Sequence, residues 1–114
     1  MALVVLYGLK NCDTCKKAVK ALDGHDVTFV DIRADAELDH LLPKWLDAVG
    51  ADTLVNKRST TWRGLSETEK ASVDNGGAIA LLFANPTLIK RPVIEANGEI
   101  YVGWTKDVAA ALGV

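Results

Sequence analysis

The first thirty-one residues constrain the fold more than any other part of this chain. Leu3-Val4-Val5-Leu6-Tyr7 is an unbroken apolar run, rich in β-branched residues, of the kind found in a buried central strand. Gly8 to Asn11 breaks it. From Asp13 the period changes. Cys15, Ala18, Val19 and Leu22 fall at i, i+3, i+4 and i+7 and form one apolar helical face, while Asp13 and Lys17 are spaced as an i, i+4 pair on the other side. Gly24 is the natural stop, and the His25-Asp26 turn leads into a second strand, Val27-Thr28-Phe29-Val30-Asp31. Strand, helix and strand in so short a span make a βαβ unit, whose two strands run parallel.

The remainder reads as a helical insert followed by a ββα unit. A helix is predicted from about Asp39 to Val49, with Leu38, Leu41, Leu42, Trp45 and Val49 as its apolar stripe and Gly50 as its end. Pro43 is expected in its first turn, because deeper in a helix it costs about 3 kcal/mol. Thr53 to Gly64 reads as irregular and basic. Ser66-Glu67-Thr68-Glu69 is a capping box opening a third helix. Asn75-Gly76-Gly77 interrupts that helix, and Ala78 to Ala84 forms a fourth that ends before Asn85-Pro86. Val93 to Ala96 and Ile100 to Val102 flank Asn97-Gly98, a strong hairpin signal. Thr105 caps a terminal amphipathic helix carrying Val108, Ala111 and Leu112. A parallel βαβ joined to an antiparallel ββα predicts an α/β, thioredoxin-like fold with a mixed sheet. The expectation is one domain over residues 1–114, with the helical insertion at about 37–88.

Composition narrows the function classes. With 114 residues, 49% apolar and 25% charged, the chain has the make-up of an ordinary folded domain. Thirteen basic and fifteen acidic residues leave a net charge of −2, which argues against generic nucleic-acid binding. The apolar stretch Ala2 to Tyr7 is too short for a signal-peptide core and lacks a basic leader. No run approaches the roughly 18 apolar residues of a membrane span. Two cysteines cannot form a disulfide scaffold. These readings predict a soluble, cytoplasmic monomer that engages neither membrane nor nucleic acid.

Chemistry centres on Cys12-Asp13-Thr14-Cys15, at the junction of the first strand and first helix. Thiolate, not thiol, is the nucleophile, and a sulfur at a helix N-terminus faces unpaired N–H groups and the positive end of the helix dipole. Cys12 falls at the N-cap, so its pKa is expected below the usual ~8.5. Lys10 favours its thiolate and Asp13 opposes it. Cys15 lies one turn further along the same face, within reach of a mixed disulfide on Cys12, and is either a resolving thiol or a small core residue. Zinc is the competing explanation for paired cysteines. A structural zinc site wants four ligands, and His25 and His40 have no ligand spacing between them, so no metal is expected.

Positive charge is partitioned along the chain. Lys10, Lys16, Lys17, Lys20, Lys57, Arg58, Arg63, Lys90 and Arg91 are nine of the thirteen basic residues, and their segments (10–20, 56–63 and 90–91) hold one acid, Asp13. Loops converging on Cys12 would give an electropositive pocket that stabilises a thiolate and attracts an anion. Lys16, Lys17 and Lys20 are more simply a solvated helix face, whereas Arg58 and Arg91 stand in polar or proline-marked loops where a planar anion could be gripped. Arg91-Pro92 also directly precedes a strand. On this architecture a cis proline there lets the backbone approach a thiol nucleophile and present polar groups to its substrate.

With these residues assembled, the sequence resembles the arsenate reductase (ArsC)/Spx family of the thioredoxin superfamily, in its small YffB-type branch. The resemblance rests on Leu6-Tyr7-Gly8 with Lys10-Asn11-Cys12-Asp13-Thr14, on Asn56-Lys57-Arg58-Ser59-Thr60-Thr61-Trp62-Arg63, on Ile89-Lys90-Arg91-Pro92 and on Val102-Gly103-Trp104. It implies a thioredoxin fold with a helical insert, Cys12 as nucleophile and Arg91 beside a cis Pro92. Two departures matter. Arsenate reductases of the family surround the cysteine with three arginines, one of them after the last strand; here that region reads Tyr101-Val102-Gly103-Trp104, and Arg58 is only an approximate counterpart of another. Conversely, Cys15 is absent from typical arsenate reductases and resembles the redox pair of Spx-type regulators, which bind RNA polymerase and extend further at the C-terminus.

The leading expectation is a glutathione-dependent thiol or mixed-disulfide reductase with no bound cofactor, glutathione serving as cosubstrate. Cys12 attacks, with Arg91 stabilising it. Lys10, Asn11, Lys57, Arg58 and Pro92 bind glutathione or another small anionic thiol, and Cys15 or a second glutathione resolves the mixed disulfide. Glutaredoxin or thioredoxin are the expected protein partners. The alternatives are arsenate reduction coupled to glutaredoxin and a non-enzymatic, redox-sensing regulator that binds RNA polymerase.

Overall fold

A computed structural model describes residues 3–114; Ala2, at the head of the apolar N-terminal run, lies outside the described residues. In chain order the elements are β1 (Leu3–Gly8), α1 (Asp13–Ala21), β2 (Asp26–Asp31), α2 (Leu38–Val49), α3 (Ala51–Leu54), α4 (Thr60–Arg63), α5 (Glu67–Ser72), α6 (Ala78–Ala84), β3 (Val93–Ala96), β4 (Glu99–Val102) and α7 (Lys106–Ala111). They fall into two compact units, one containing the chain up to Ala36 together with Arg91–Val114, the other Glu37–Lys90.

The first unit is a four-stranded mixed sheet in the order β2-β1-β3-β4. β1 runs parallel to β2, with Leu6 opposite Phe29, and antiparallel to β3, with Leu6 opposite Ile94. β3 and β4 are antiparallel. Their turn is Asn97-Gly98, with φ of 55° and 78°; two successive left-handed residues match the twist of the flanking strands, which is why asparagine and glycine stand there. Strand alternation sends Val4, Leu6, Ile94 and Ala96 to one face, where they meet Ala18 and Leu22 and, near the C-terminus, Leu112. Val27, Phe29, Tyr101, Trp104 and Val108 pack around this cluster. Each fully buried aliphatic side chain contributes about 1.5–3 kcal/mol. Thr105 caps α7 by accepting the Val108 N–H at 3.2 Å. A βαβ half and a ββα half sharing one mixed sheet is the thioredoxin-like arrangement.

The buried stripe of α1 is narrower than its periodicity predicts. Cys15, Ala18 and Leu22 are buried, but Val19 is 39% exposed, because a helix lying on one sheet buries a seam at i, i+3, i+7 and leaves the i+4 position at its edge. Among the described residues Asp13 and Lys17 form no ion pair. In α7, Ala111 is exposed, while Val108 and Leu112 carry the packing.

The second unit is helical. Leu38, Leu42 and Trp45 form the buried face of α2, which begins at Leu38. Pro43 therefore lies in the second turn rather than the first. It is exposed, so the Asp39 carbonyl that loses its helical partner can turn to water, and burial of Leu42 and Trp45 outweighs the defect. The basic stretch is less irregular than its sequence suggests. It contains the single turns α3 and α4, the latter capped by Ser59, whose Oγ accepts the Trp62 N–H at 3.1 Å. The Ser66 capping box is complete: the Glu69 N–H donates to Ser66 Oγ and the Ser66 N–H to Glu69 Oε1, both at 3.1 Å. Among the described residues no helix is long and apolar enough to cross a membrane.

Candidate active site

β1 delivers the chain to the site and α1 holds it there. After Gly8 the backbone turns so that the Cys12 N–H donates to the Leu9 carbonyl at 3.2 Å, and the Cys12 carbonyl accepts the Lys16 N–H at 3.0 Å. Cys12 is thereby the N-cap of α1, in extended conformation (φ −98°, ψ 119°), and half-exposed. Its sulfur makes no side-chain cap hydrogen bond of full geometry. The Cys15 N–H, one of the unpaired donors of the first turn, still points toward it closely enough to favour its anion.

The two thiols have opposite tendencies. Burial pushes Cys12 up, but the Cys15 N–H, the Cys15 side chain and the Arg91 guanidinium, which hydrogen-bonds to it and carries a positive charge, together outweigh burial and hold it below the ordinary thiol value. Cys15 is 1% exposed, and burial pushes its pKa up to about 11; the facing Leu9 N–H and the charge of Arg91 pull the other way without prevailing, and Cys12 adds to the rise. Cys12 is therefore the more readily ionised of the two, while Cys15 stays a thiol at neutral pH. Both are free cysteines.

Gly8 makes this packing possible, a role its place at the end of a hydrophobic strand did not announce. A Cβ there would lie 2.5 Å from Cys15 Sγ and 3.3 Å from Cys15 Cβ, so only a residue without a side chain lets α1 bring Cys15 this close to β1. The clue in the sequence was a glycine directly preceding the loop to a functional cysteine.

Arg91 and Pro92 enter the site from the far end of the chain. The Arg91-Pro92 bond is cis, Pro92 is buried, and its carbonyl accepts the Gly103 N–H at 2.8 Å. That bond ties the segment before β3 to the segment after β4. Lys10 and Asn11 are exposed on the loop preceding Cys12. Lys57 and Arg58 belong to the second unit, where Asn56 N–H donates to the Leu88 carbonyl and Lys90 N–H to the Leu54 carbonyl, both at 2.7 Å. Together with Asp52, Val55, Asn56 and Lys90 they line a groove of about 320 Å³. Lys57 is already engaged there, 3.3 Å from Asp52 and 5.7 Å from the centre of the Trp62 ring. Among the described residues no group of three or more His, Cys, Asp or Glu side chains could hold a metal ion.

A cysteine pair at a strand–helix junction on a thioredoxin-like fold is the arrangement of the thiol–disulfide oxidoreductase families. Within it the chain belongs to the ArsC family, whose model matches residues 7–112. It is 41% identical to the structure of the YffB protein, covering 95% of this chain and 96% of that one, with a TM-score of 0.85. It is 38% identical to an arsenate reductase (ArsC)-related protein from Brucella melitensis, over 97% of this chain and 95% of that one, with a TM-score of 0.76. It is 30% identical to a protein of Streptococcus mutans named global transcriptional regulator Spx, over 92% of this chain and 79% of that one.

Proposed function

We propose that the protein is a glutathione-dependent thiol or mixed-disulfide reductase with Cys12 as its nucleophile. One observation carries the reading: a half-buried sulfur held between the first turn of α1 and the Arg91 guanidinium, both of which favour its anion. The Cys12 thiolate attacks the glutathione sulfur of a mixed disulfide, the substrate leaves as its thiolate, and a new disulfide joins Cys12 to glutathione. A second glutathione thiolate attacks the glutathione sulfur of that disulfide. This returns the Cys12 thiolate and releases glutathione disulfide, so one substrate mixed disulfide is reduced at the expense of one free glutathione thiol, the other half of the glutathione disulfide coming from the substrate itself. Arg91 and Lys10 supply positive charge toward the carboxylates of glutathione.

Resolution by a second glutathione is favoured over resolution by Cys15. With a pKa of about 11, only about one Cys15 in ten thousand is a thiolate at pH 7. Forming the mixed disulfide removes the negative charge of Cys12 and lowers that barrier somewhat, but burial, the largest cause, remains. The test is the rate at which Cys12 forms a mixed disulfide with glutathione disulfide across pH, read by mass spectrometry. A reactivity that rises only at or above the free-thiol pKa of about 8.5 would defeat the reading.

A second reading has its own support. The Cys12 and Cys15 side chains are within hydrogen-bonding reach of each other, the proximity a disulfide switch requires, and the Streptococcus mutans relative is named a transcriptional regulator. A redox-sensing regulator that binds RNA polymerase would retain polymerase subunits from a cytoplasmic lysate in either the oxidised or the reduced form. Failure to retain them in both forms removes this reading.

A further inference from the structure

Val19 stands at a stripe position of α1 and is nevertheless open to solvent. Beside it lies a groove of about 400 Å³ whose apolar wall is Leu9, Cys15, Val19 and Phe29. Lys10, Lys16 and Lys20 complete the lining, and no carboxylate belongs to it. Lys16 and Lys20 are four residues apart on α1 and so share one rim. Among the described residues neither forms an ion pair. Cys12 and Arg91 are not in the lining, so the groove adjoins the nucleophile's surroundings, sharing Lys10 and the flank of Cys15 with them, without including the nucleophile itself.

An apolar wall and a cationic rim select a particular kind of molecule. A fully polar anion leaves the wall facing water it cannot hydrogen-bond, and a neutral hydrocarbon makes no use of the ammonium groups. A hydrocarbon chain ending in a carboxylate satisfies both, its tail against Leu9, Val19 and Phe29 and its head between the lysines. The volume is in the range of small-molecule sites, about 300–1,000 Å³. We propose that this groove binds a small apolar anion, a free carboxylate carried on a hydrocarbon chain, against the buried flank of Cys15.

The test titrates the reduced, ¹⁵N-labelled full chain with decanoate and, in parallel, with decanol, which has the same tail and no charge. Saturable shifts of the Leu9, Cys15, Val19 and Phe29 amides are expected with decanoate, and binding at least fivefold weaker with decanol. The exposed double substitution Lys16→Gln/Lys20→Gln should weaken decanoate about fivefold and leave decanol unchanged. Cys12→Ser should leave both unchanged, which separates this site from the thiol chemistry. Val19→Glu, which places a carboxylate at the groove, should abolish decanoate binding in a chain whose spectrum remains folded. Shifts that do not saturate or that scatter over the surface would overturn the proposal, as would equal affinity for the two probes or binding to anionic vesicles without binding to decanoate.

Discussion

Gly8→Ala tests whether the approach of α1 to β1 at Cys15 governs the site. The backbone does not resist the change, since Gly8 is not among the glycines with positive φ, and in an open strand alanine would gain about 0.4–1 kcal/mol through the unfolded state. The cost is steric. The new Cβ would lie 2.5 Å from Cys15 Sγ, where carbon and its neighbours prefer about 3.5–4.0 Å, so α1 or the sulfur must move by roughly 1 Å. Overpacking of this kind costs about 1–3 kcal/mol, leaving a net loss of about 1–2 kcal/mol. Cys15→Ala removes the sulfur that obstructs and leaves only the milder 3.3 Å contact with Cys15 Cβ. The double variant should therefore be more stable than the sum of the single losses predicts, by about 1 kcal/mol or more. Urea unfolding of the four proteins at pH 7 under reducing conditions measures this coupling. Additivity within about 0.5 kcal/mol, or a Gly8→Ala chain more stable than the parent, would refute the steric argument.

The other expectations concern charge and capping. Arg91→Ala removes a charge-assisted hydrogen bond from the Cys12 sulfur, so the pH profile of Cys12 alkylation should move up and the rate at pH 7 should fall about threefold to tenfold, the smaller figure if solvent screens the pair. Stability should fall in alkaline solution. Cys15 has a folded pKa above its unfolded one, so its contribution is complete below about pH 8.5 and is lost as pH rises to about 11, by up to about 3 kcal/mol; Cys15→Ala should flatten this limb of a urea-midpoint profile. Cys12 has the opposite sign, its contribution present above the unfolded pKa and lost as pH falls through the depressed folded value. Cys15→Ser keeps a side-chain donor beside Cys12 and should preserve more of the low Cys12 pKa than Cys15→Ala, as read by iodoacetamide kinetics. Ser66→Ala opens the capping box of α5 and should cost about 1 kcal/mol in thermal or urea unfolding.

Much of the sheet was legible because local signals agreed with one another. The run Leu3 to Tyr7, the hairpin at Asn97-Gly98 and the caps at Ser66 and Thr105 are each decided by a few neighbouring residues. The misreadings arose where distance in the sequence decides. Val19 satisfies the helical period, but whether an i+4 position is covered depends on the width of the sheet beneath it. The rule that confines proline to a first turn yields where Pro43 faces water and its neighbours Leu42 and Trp45 are buried. The short turns α3 and α4 are too brief to leave a periodic signature. At the site, Cys12 and Cys15 announce themselves by spacing, whereas the contact of Arg91 with Cys12 spans seventy-nine positions and no local pattern encodes it. Gly8 was visible only as a break, since the atom that excludes a side chain there belongs to another element.

The two sulfurs differ because a helix start offers two environments three residues apart. At the N-cap a side chain stands outside the helical barrel, facing donors that have no carbonyl to satisfy, and Cys12 gains from them while keeping part of its surface in water. At the third helical position the side chain points down onto the sheet, and Cys15 loses its water to the packing that Gly8 permits. Burial then assigns Cys15 a part that its reactivity would not. A thiol that stays protonated can direct its S–H toward the neighbouring anion, and the Cys15 side chain is among the groups that hold Cys12 low. A resolving cysteine must instead become a thiolate at the moment of attack, which the same burial opposes. The arrangement thus fits the proposed reaction at one sulfur, in which its neighbour is a hydrogen-bond donor and an external thiol closes the cycle. For Cys15 to act as nucleophile, α1 would first have to lift its opening turn from β1 and readmit water to the buried sulfur.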